Sequence, residues 1–338
     1  WMVVAGAGLH LLVQVPVLRG LKYRYRFVLD WKDAGLRRVV KLMIPRSISL
    51  GMQQVMLVVF TSIGSTLPKG AVSIFALTNN FQTTPVAIFA SSIATAVFPH
   101  LGATASQKDD GEYRRILTDS LRGMFYMMTP SMVLFWIFRA HLIRLYLALN
   151  HQTWTDTLRA IHTFEWFILA LLAQGFNLIL IRAFYARHDT LRPMVLSVIG
   201  GLISVVSAFW LVAVIQDVPA LSLAFLIGVT VEAILLAIVF TVTYPKLVAW
   251  RRVFSTLFVS GLFSIAAGLT SLIVLRIVSE GALNIIPAQG TEHVVSLAGA
   301  MVSAGLAGLS VFVALSFMFK RSEILWIIPK KALDIIPL

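Results

Sequence analysis

The chain has 338 residues, of which 58% are hydrophobic and 13% are charged. Soluble domains carry roughly 25% charged residues, so this composition excludes a soluble enzyme, a disordered chain and a disulfide scaffold. The net charge of +13 could suit nucleic acid, but in a chain with a mean hydropathy of +0.86 it indicates basic loops beside anionic membrane lipids. The sequence therefore predicts an all-α polytopic membrane protein that binds no nucleic acid.

Nine segments are long and apolar enough to cross a bilayer, since one span needs about 20 apolar residues. The predicted spans run over residues 1–18, 40–64, 71–99, 119–138, 160–183, 194–215, 220–244, 254–278 and 294–319. In the last span, Gly299, Ser303 and Ala307 form a small-residue stripe at which another helix is expected to pack. Residues 320–338 are too short and too interrupted by proline to span, so an interfacial tail is expected there.

Basic residues alternate between the loops. One set of loops, which includes Arg182, Arg187 and Arg192, holds 22 of the 28 lysines and arginines, and the alternate loops hold five. The remaining basic residue, Arg46, lies inside a span. Because cytoplasmic loops collect positive charge, the first span is expected to enter from outside and the C-terminus to be cytoplasmic.

The sequence contains no recognisable enzyme motif. The seven histidines lack metal-ligand spacing, and no Walker-type phosphate loop or Gly-x-Ser-x-Gly elbow occurs. We therefore predict no catalytic residue, no metal and no cofactor. The informative residues are polar groups inside apolar helices, because a charge near the bilayer centre costs roughly 2.5 to 3.5 kcal/mol.

The second span combines a cation with amides. Arg46 follows Pro45, and Gln53 lies seven residues further along, so both side chains fall on one helical face. A guanidinium beside an amide suits a phosphate-bearing substrate. The alternative is an arginine that reaches to the cytoplasmic headgroups.

The third span contains six hydrogen-bonding side chains in seven positions. They are Thr78, Asn79, Asn80, Gln82, Thr83 and Thr84. Lipid cannot satisfy so many polar groups, so the segment is expected to line an aqueous cavity, with Pro85 marking a bend. The alternative is close helix packing in which the side chains bond to their own backbone.

The fifth and seventh spans carry acidic residues. Arg159, His162 and Glu165 have the spacing of a local ion cluster near the outer interface, with Gln174 deeper in the same helix. Glu232 is isolated in the middle of the seventh span. Three interpretations of Glu232 stay open: it is protonated, it pairs with an unidentified group, or it binds a cation that is coupled to transport. Glu165 is the other candidate for such a coupling residue.

Three segments in this order resemble the MurJ/MviN lipid II flippases of the multidrug/oligosaccharidyl-lipid/polysaccharide exporter superfamily. The first runs over 43–54, where Pro45, Arg46 and Gln53 are similar to the family's helix that opens with Pro and Arg and continues to Gln. The second runs over 70–101. The third is similar to the family's Phe-Tyr-Ala-x-x-Asp-Thr-x-x-Pro loop, and its matching residues are Tyr185, Arg187, Asp189 and Pro193.

The resemblance implies a fourteen-span fold with two six-helix lobes around a cavity and two further helices that form a groove for the lipid. Residues 1–18 would be the last helix of the first lobe, whose other helices lie upstream, and 19–39 a basic cytoplasmic linker. The second lobe would be 40–244, the groove pair 254–319 and the cytoplasmic tail 320–338.

The implied activity is the movement of an undecaprenyl-pyrophosphate-linked peptidoglycan precursor by alternating access, with membrane lipids and cell-wall synthesis proteins as partners. The substrate cavity would contain Arg46, Gln53, Asn79, Asn80, Gln82 and Gln174. The chain departs from the family at Asn80, where an arginine is common, and at Asn79, where an aspartate is frequent.

Three alternatives stay open. The Asn80 departure favours a flippase for another polyprenyl-pyrophosphate-linked oligosaccharide. A cation-coupled drug exporter would use an acidic site and an apolar pocket. A scaffold for cell-wall machinery would keep the fold without transporting.

Overall fold

A computed structural model describes residues 2–20, 33–147, 154–278 and 291–319. These residues are helices and the turns between them, with no strand among them, as the sequence predicts. The helices are α1 (Met2–Gly20), α2 (Ala34–Ser65), α3 (Ala71–Pro85), α4 (Ser92–Gln107), α5 (Asp110–Leu147), α6 (Trp154–Ala186), α7 (Leu191–Ile215), α8 (Pro219–Thr243), α9 (Trp250–Val278) and α10 (Thr291–Met318). A π-helical turn, Val86–Ser91, joins α3 to α4.

Eight helical segments in this part of the chain are long and apolar enough to cross a membrane, and α3 to α4 count as one. They correspond to all the predicted spans except the first, which forms α1. The chain divides into two compact units, Trp1–Met43 and Ile44–Leu338. Within the first unit, α2 begins at Ala34, inside the range 19–39 predicted as a linker. Residues 21–32 of that linker and the predicted tail beyond 319 lie outside the described residues.

Helix ends extend past the apolar windows because capping groups, not hydropathy, terminate a helix. Asp109 accepts a hydrogen bond from the Glu112 backbone N–H at 2.9 Å, so α5 begins about nine residues before its apolar window. Lys108 and Gln216 adopt positive φ angles of 57° and 54° directly after α4 and α7. These left-handed residues stop the two helices.

The core of the second unit is built around α6, the most buried of the eight candidate spans. Phe164, Phe167, Leu171 and Phe184 of this helix are fully buried. The helices α3, α4, α5 and α8 pack around it, and α7 packs on α8. The outward faces of α7 and α9 expose large apolar side chains such as Trp210 and Phe258, as expected of helices that face lipid.

α9 and α10 pack against each other and against α5. The Ser271 hydroxyl donates to the Ala304 carbonyl at 2.9 Å, and Tyr126 of α5 hydrogen-bonds Ser316. Ala300, Ala304 and Gly308 are buried small residues of α10 at four-residue spacing. The predicted stripe of Gly299, Ser303 and Ala307 is therefore wrong by one residue, because α10 carries small residues on both of these adjoining faces.

Candidate functional site

Three predicted cavity amides meet where α3 packs on α6. Gln174 donates from Nε2 to Gln82 Oε1 at 2.5 Å, and Gln82 donates from Nε2 to Asn79 Oδ1 at 3.0 Å. Gln82 is only 1% exposed, so its hydrogen bonds offset the cost of burying an amide. Asn79 and Gln174 are half-buried. We refer to Asn79, Gln82 and Gln174 as the amide cluster.

The other polar residues of α3 divide into two groups. Thr78 donates to the Ile74 carbonyl at 2.8 Å, and Thr83 and Thr84 donate to the Asn80 carbonyl at 2.8 and 3.4 Å. These threonines are satisfied by their own helix. The Asn80 side chain, which follows Asn79 in the sequence, is exposed.

The polar run ends at a local widening of the helix. Pro85 has no backbone N–H to donate, and the following turn, Val86–Ser91, is π-helical. The Ser92 hydroxyl donates to the Ala87 carbonyl at 3.4 Å, which partly replaces the backbone hydrogen bonds that the turn disrupts. The predicted bend at Pro85 is therefore a π-helical turn inside a 37-residue span.

Two further cavity candidates, Arg46 and Gln53, belong to α2. Gln53 is exposed, and no hydrogen bond joins it to the cluster in the described part of the chain. Arg46 follows the buried Pro45 within α2, but its side chain lies outside the described residues. The proposed pairing of Arg46 with Gln53 on one face stays a prediction.

Glu165 belongs to an ion cluster with a different composition from the predicted one. Its carboxylate accepts a hydrogen bond from Arg139 Nε at 2.6 Å, and His162 Nδ1 lies 3.3 Å from its other oxygen. Arg159 pairs instead with Asp217 at 2.6 Å and Asp156 at 3.4 Å. The spacing of the three α6 residues could not reveal partners on α5 and in the turn between α7 and α8.

Glu232 lies between three helices. Ser197 of α7 donates to its carboxyl at 2.6 Å, and Asn177 of α6 is within hydrogen-bonding reach of the same group. Gly200 lies against the Glu232 stem, since a Cβ at residue 200 would be 2.7 Å from Glu232 Cβ. Glu232 forms no ion pair among the described residues.

In the loop between α6 and α7, Arg187 stacks on two tyrosine rings. We refer to Arg187, Tyr113 and Tyr244 as the aromatic clamp. The Arg187 guanidinium is 4.7 Å from the ring centre of Tyr113 and 4.9 Å from that of Tyr244, and it also pairs with Asp110. Asp189 accepts from Arg192 at 2.5 Å and from the Tyr244 hydroxyl at 3.4 Å. Burial, together with the Asp189 carboxylate, raises the pKa of Tyr244, so its ring stays neutral at physiological pH.

The other two motif residues flank this clamp. Pro193 is buried in the first turn of α7, and Tyr185 is half-buried near the end of α6. His188 adopts a φ of 57°, which reverses the chain between the two helices. All four residues of the predicted loop motif therefore lie in one tight connection.

A comparison with family models gives a match to the family described as "Lipid II flippase MurJ" over residues 1–290. This chain belongs to the MurJ family. Among curated relatives, "Lipid II flippase MurJ" of Burkholderia cenocepacia is 26% identical over 243 residues, which are 70% of this chain and 46% of that protein. "Probable lipid II flippase MurJ" of Haemophilus influenzae is also 26% identical, over 68% of this chain and 46% of that protein.

A solved structure supports the MurJ fold. "Lipid II flippase MurJ, inward closed conformation" superposes with a TM-score of 0.67 at 19% identity, over 90% of this chain and 59% of that chain. The chain spans about half the length of the curated MurJ relatives that it matches. In this MurJ-family fold the amide cluster, the Glu232 site and the aromatic clamp lie on α3 to α8.

Sequence reasoning did not anticipate the contacts that Arg182, Tyr113 and Tyr244 make in this MurJ-family chain. Arg182 lies within α6, inside the predicted span 160–183, and donates to the Thr95 hydroxyl of α4 at 2.7 Å. Tyr113 and Tyr244 left no local signal beyond being aromatic residues near helix ends.

Proposed function

We propose that this protein moves lipid II, the polyprenyl-pyrophosphate-linked peptidoglycan precursor, across the bacterial cytoplasmic membrane by alternating access. It acts as a transporter and not as an enzyme, and its C-terminus is cytoplasmic. The match to the lipid II flippase family over residues 1–290 is the observation that carries this proposal. The placement of three predicted cavity amides in one cluster supports it.

The half-buried Asn79 and Gln174, which the buried Gln82 holds in place, contribute hydrogen-bonding groups to the substrate cavity together with the exposed Asn80. Each side-chain amide offers two N–H donors and a carbonyl acceptor, which suit phosphate oxygens and sugar hydroxyls. Arg46 and Gln53 on α2 supply the cation and a further amide. The π-helical turn at Val86–Ser91 lets the α3 to α4 span bend as the cavity changes its exposure. The α9–α10 pair holds the polyprenyl chain along its apolar faces.

A second candidate function is the transport of another polyprenyl-pyrophosphate-linked oligosaccharide. The neutral Asn80 favours this candidate, because an amide gains less than a guanidinium from a pyrophosphate and more readily serves sugar hydroxyls. Asn80→Arg separates the two candidates. If lipid II is the substrate, the new cation maintains or improves transport. A complete loss would favour the other oligosaccharide.

The test is complementation of a strain depleted of its own lipid II flippase by the intact gene. We expect a well-expressed, membrane-inserted product to restore exposure of lipid II on the outer face of the membrane. Gln82→Leu should lose that activity at unchanged protein levels, because it removes the central member of the amide cluster. Gln107→Ala, an exposed amide at the end of α4, is the matched control. Failure of the unmodified protein would overturn the assignment.

A further inference from the structure

Glu232 lies midway along a helix that is long and apolar enough to cross a membrane. Glu232 is the fourteenth residue of the 25-residue helix α8, and it is the only charged residue in that helix. Asn177 and Ser197, which contact it, lie nine residues before the end of α6 and six residues after the start of α7. At 1.5 Å per residue, all three positions are about 9 to 17 Å from the nearest ends of their helices.

Polar but uncharged groups surround this carboxyl. The Ser197 hydroxyl lies 2.6 Å from Glu232 Oε1, and Asn177 reaches the same group. Asn177 is 4% exposed and donates from Nδ2 to the Val229 carbonyl at 3.1 Å. Its Oδ1 is buried and has no hydrogen-bond partner among the described residues. The pocket therefore keeps an unused acceptor close to the carboxyl.

The backbones of α7 and α8 approach closely at this point. A Cβ on Gly200 would be 2.7 Å from Glu232 Cβ, and a Cβ on Gly228 would be 2.6 Å from the Gly200 carbonyl oxygen. Only glycine fits such contacts without displacement of the helices. The Glu232 stem is thus held against α7, and its position depends on how α6, α7 and α8 pack.

The charged groups of the surrounding helices have other partners. On α6, Arg182 is five residues beyond Asn177 and bonds Thr95. On α7, Arg192 is five residues before Ser197 and pairs with Asp189. α2 reaches this region through Met52, which packs on Gly201, and the Arg46 side chain is outside the described residues. None of the described charged side chains acts on the Glu232 carboxyl.

The contrast with Glu165 distinguishes the two acidic candidates. Arg139 lies 2.6 Å from Glu165 and forms an ion pair with it. At Glu232, a hydroxyl and an amide can each donate to a carboxylate or accept from a carboxylic acid. A hard metal cation would need several oxygen ligands with net negative charge. No group of three His, Asp or Glu side chains gathers anywhere in the described ranges.

We infer that Glu232, with Ser197 and Asn177 as positioning residues, is a proton-binding site that couples transport to the proton gradient. The carboxylate takes up one proton from water when the packing of α6, α7 and α8 opens the site to one side of the membrane, and the carboxylic acid releases that proton to water when the site opens to the other side. The coupling role rests on the proposed transport function, whereas the protonated carboxyl does not.

The first experiment tests protonation without transport. Dicyclohexylcarbodiimide reacts with protonated carboxyls in apolar surroundings, and mass spectrometry locates the modified residue in the intact, purified protein. We expect modification at Glu232 that falls as the pH is raised and is lost in Glu232→Gln. Glu165→Gln, which removes an ion-paired carboxyl, should leave the labelling unchanged. Absence of label at Glu232 in the unmodified protein, or labelling that ignores pH, would overturn the inference.

The second experiment tests coupling in proteoliposomes that carry fluorescent lipid II. The unmodified protein should flip faster when a proton gradient is imposed, and Glu232→Gln should lose this response while retaining substrate binding. Ser197→Ala should shift the pH profile, which a purely structural role would not do. A response that survives in Glu232→Gln would overturn the coupling. If the protein labels at Glu232 but flips no lipid II, the proposed substrate fails while the proton site stands.

Discussion

Individual side chains determine how the α6–α7 connection is held. The Arg187 guanidinium lies between the rings of Tyr113 and Tyr244 and also pairs with Asp110, so one residue joins α5, α6 and the end of α8. A planar guanidinium stacks on two faces at once, which the compact ammonium of lysine does not match. Arg187 of the family's loop motif therefore holds α5, α6 and the end of α8 together in this chain.

Arg187→Lys should destabilise the protein by about 1 to 3 kcal/mol, because cation–π contacts contribute about 0.5 to 2 kcal/mol each and two are weakened. The measurement is a thermal unfolding midpoint in detergent. Arg114→Lys, an exposed arginine next to Tyr113, is the matched control and should leave the midpoint unchanged. Equal midpoints for Arg187→Lys and the control would show that the stacked geometry adds nothing to stability.

The sequence was informative about which residues matter here but not about their partners. The motif around Arg187 and Asp189 is recognisable from its residue pattern. Tyr113, on which Arg187 stacks, lies more than seventy residues before it in the sequence. The same limit applies to Glu165, whose partner Arg139 is 26 residues upstream on another helix. Spacing along one helix predicts neighbours on that helix, and tertiary partners require the packing to be known.

At the scale of elements, glycine positions determine how closely helices approach. A Cβ on Gly308 would lie 2.1 Å from Ser271 Oγ and 2.7 Å from the Ala267 carbonyl oxygen, so α9 and α10 touch backbone to backbone there. A Cβ on Gly299 of the same helix would meet nothing within 4 Å. Composition showed that α10 packs through small residues, but two adjoining faces carry them, so the sequence could not select the buried one.

Gly308→Ala should therefore lower stability by about 1 to 3 kcal/mol through overpacking. Gly299→Ala should be neutral or stabilising by up to about 1 kcal/mol, because alanine is the better helix former. Thermal unfolding of both variants under the same detergent conditions gives the comparison. The reverse order would place the helix contact on the face that contains Gly299.

At the scale of the whole molecule, the class and the spans followed from composition, because hydrophobic windows of membrane length have few alternatives. Eight of the nine predicted spans are recovered as helices of spanning length and composition among the described residues. Helix ends were less predictable, since polar turns such as Asp110–Glu112 continue α5 beyond its apolar part. The amide cluster was predicted as a set of residues, but its pairing across α3 and α6 was not.

The orientation in the membrane is the remaining prediction, and the 338 residues contain no cysteine to complicate its test. Lys69 and Gln107 are exposed just before and at the end of the Ala71–Gln107 span. The bias of basic residues places Gln107 on the cytoplasmic side, because its loop belongs to the positively charged set. An impermeant thiol reagent added to intact spheroplasts should label Lys69→Cys and should reach Gln107→Cys only after permeabilisation. The opposite pattern would invert every span and place the aromatic clamp around Arg187 outside the cell.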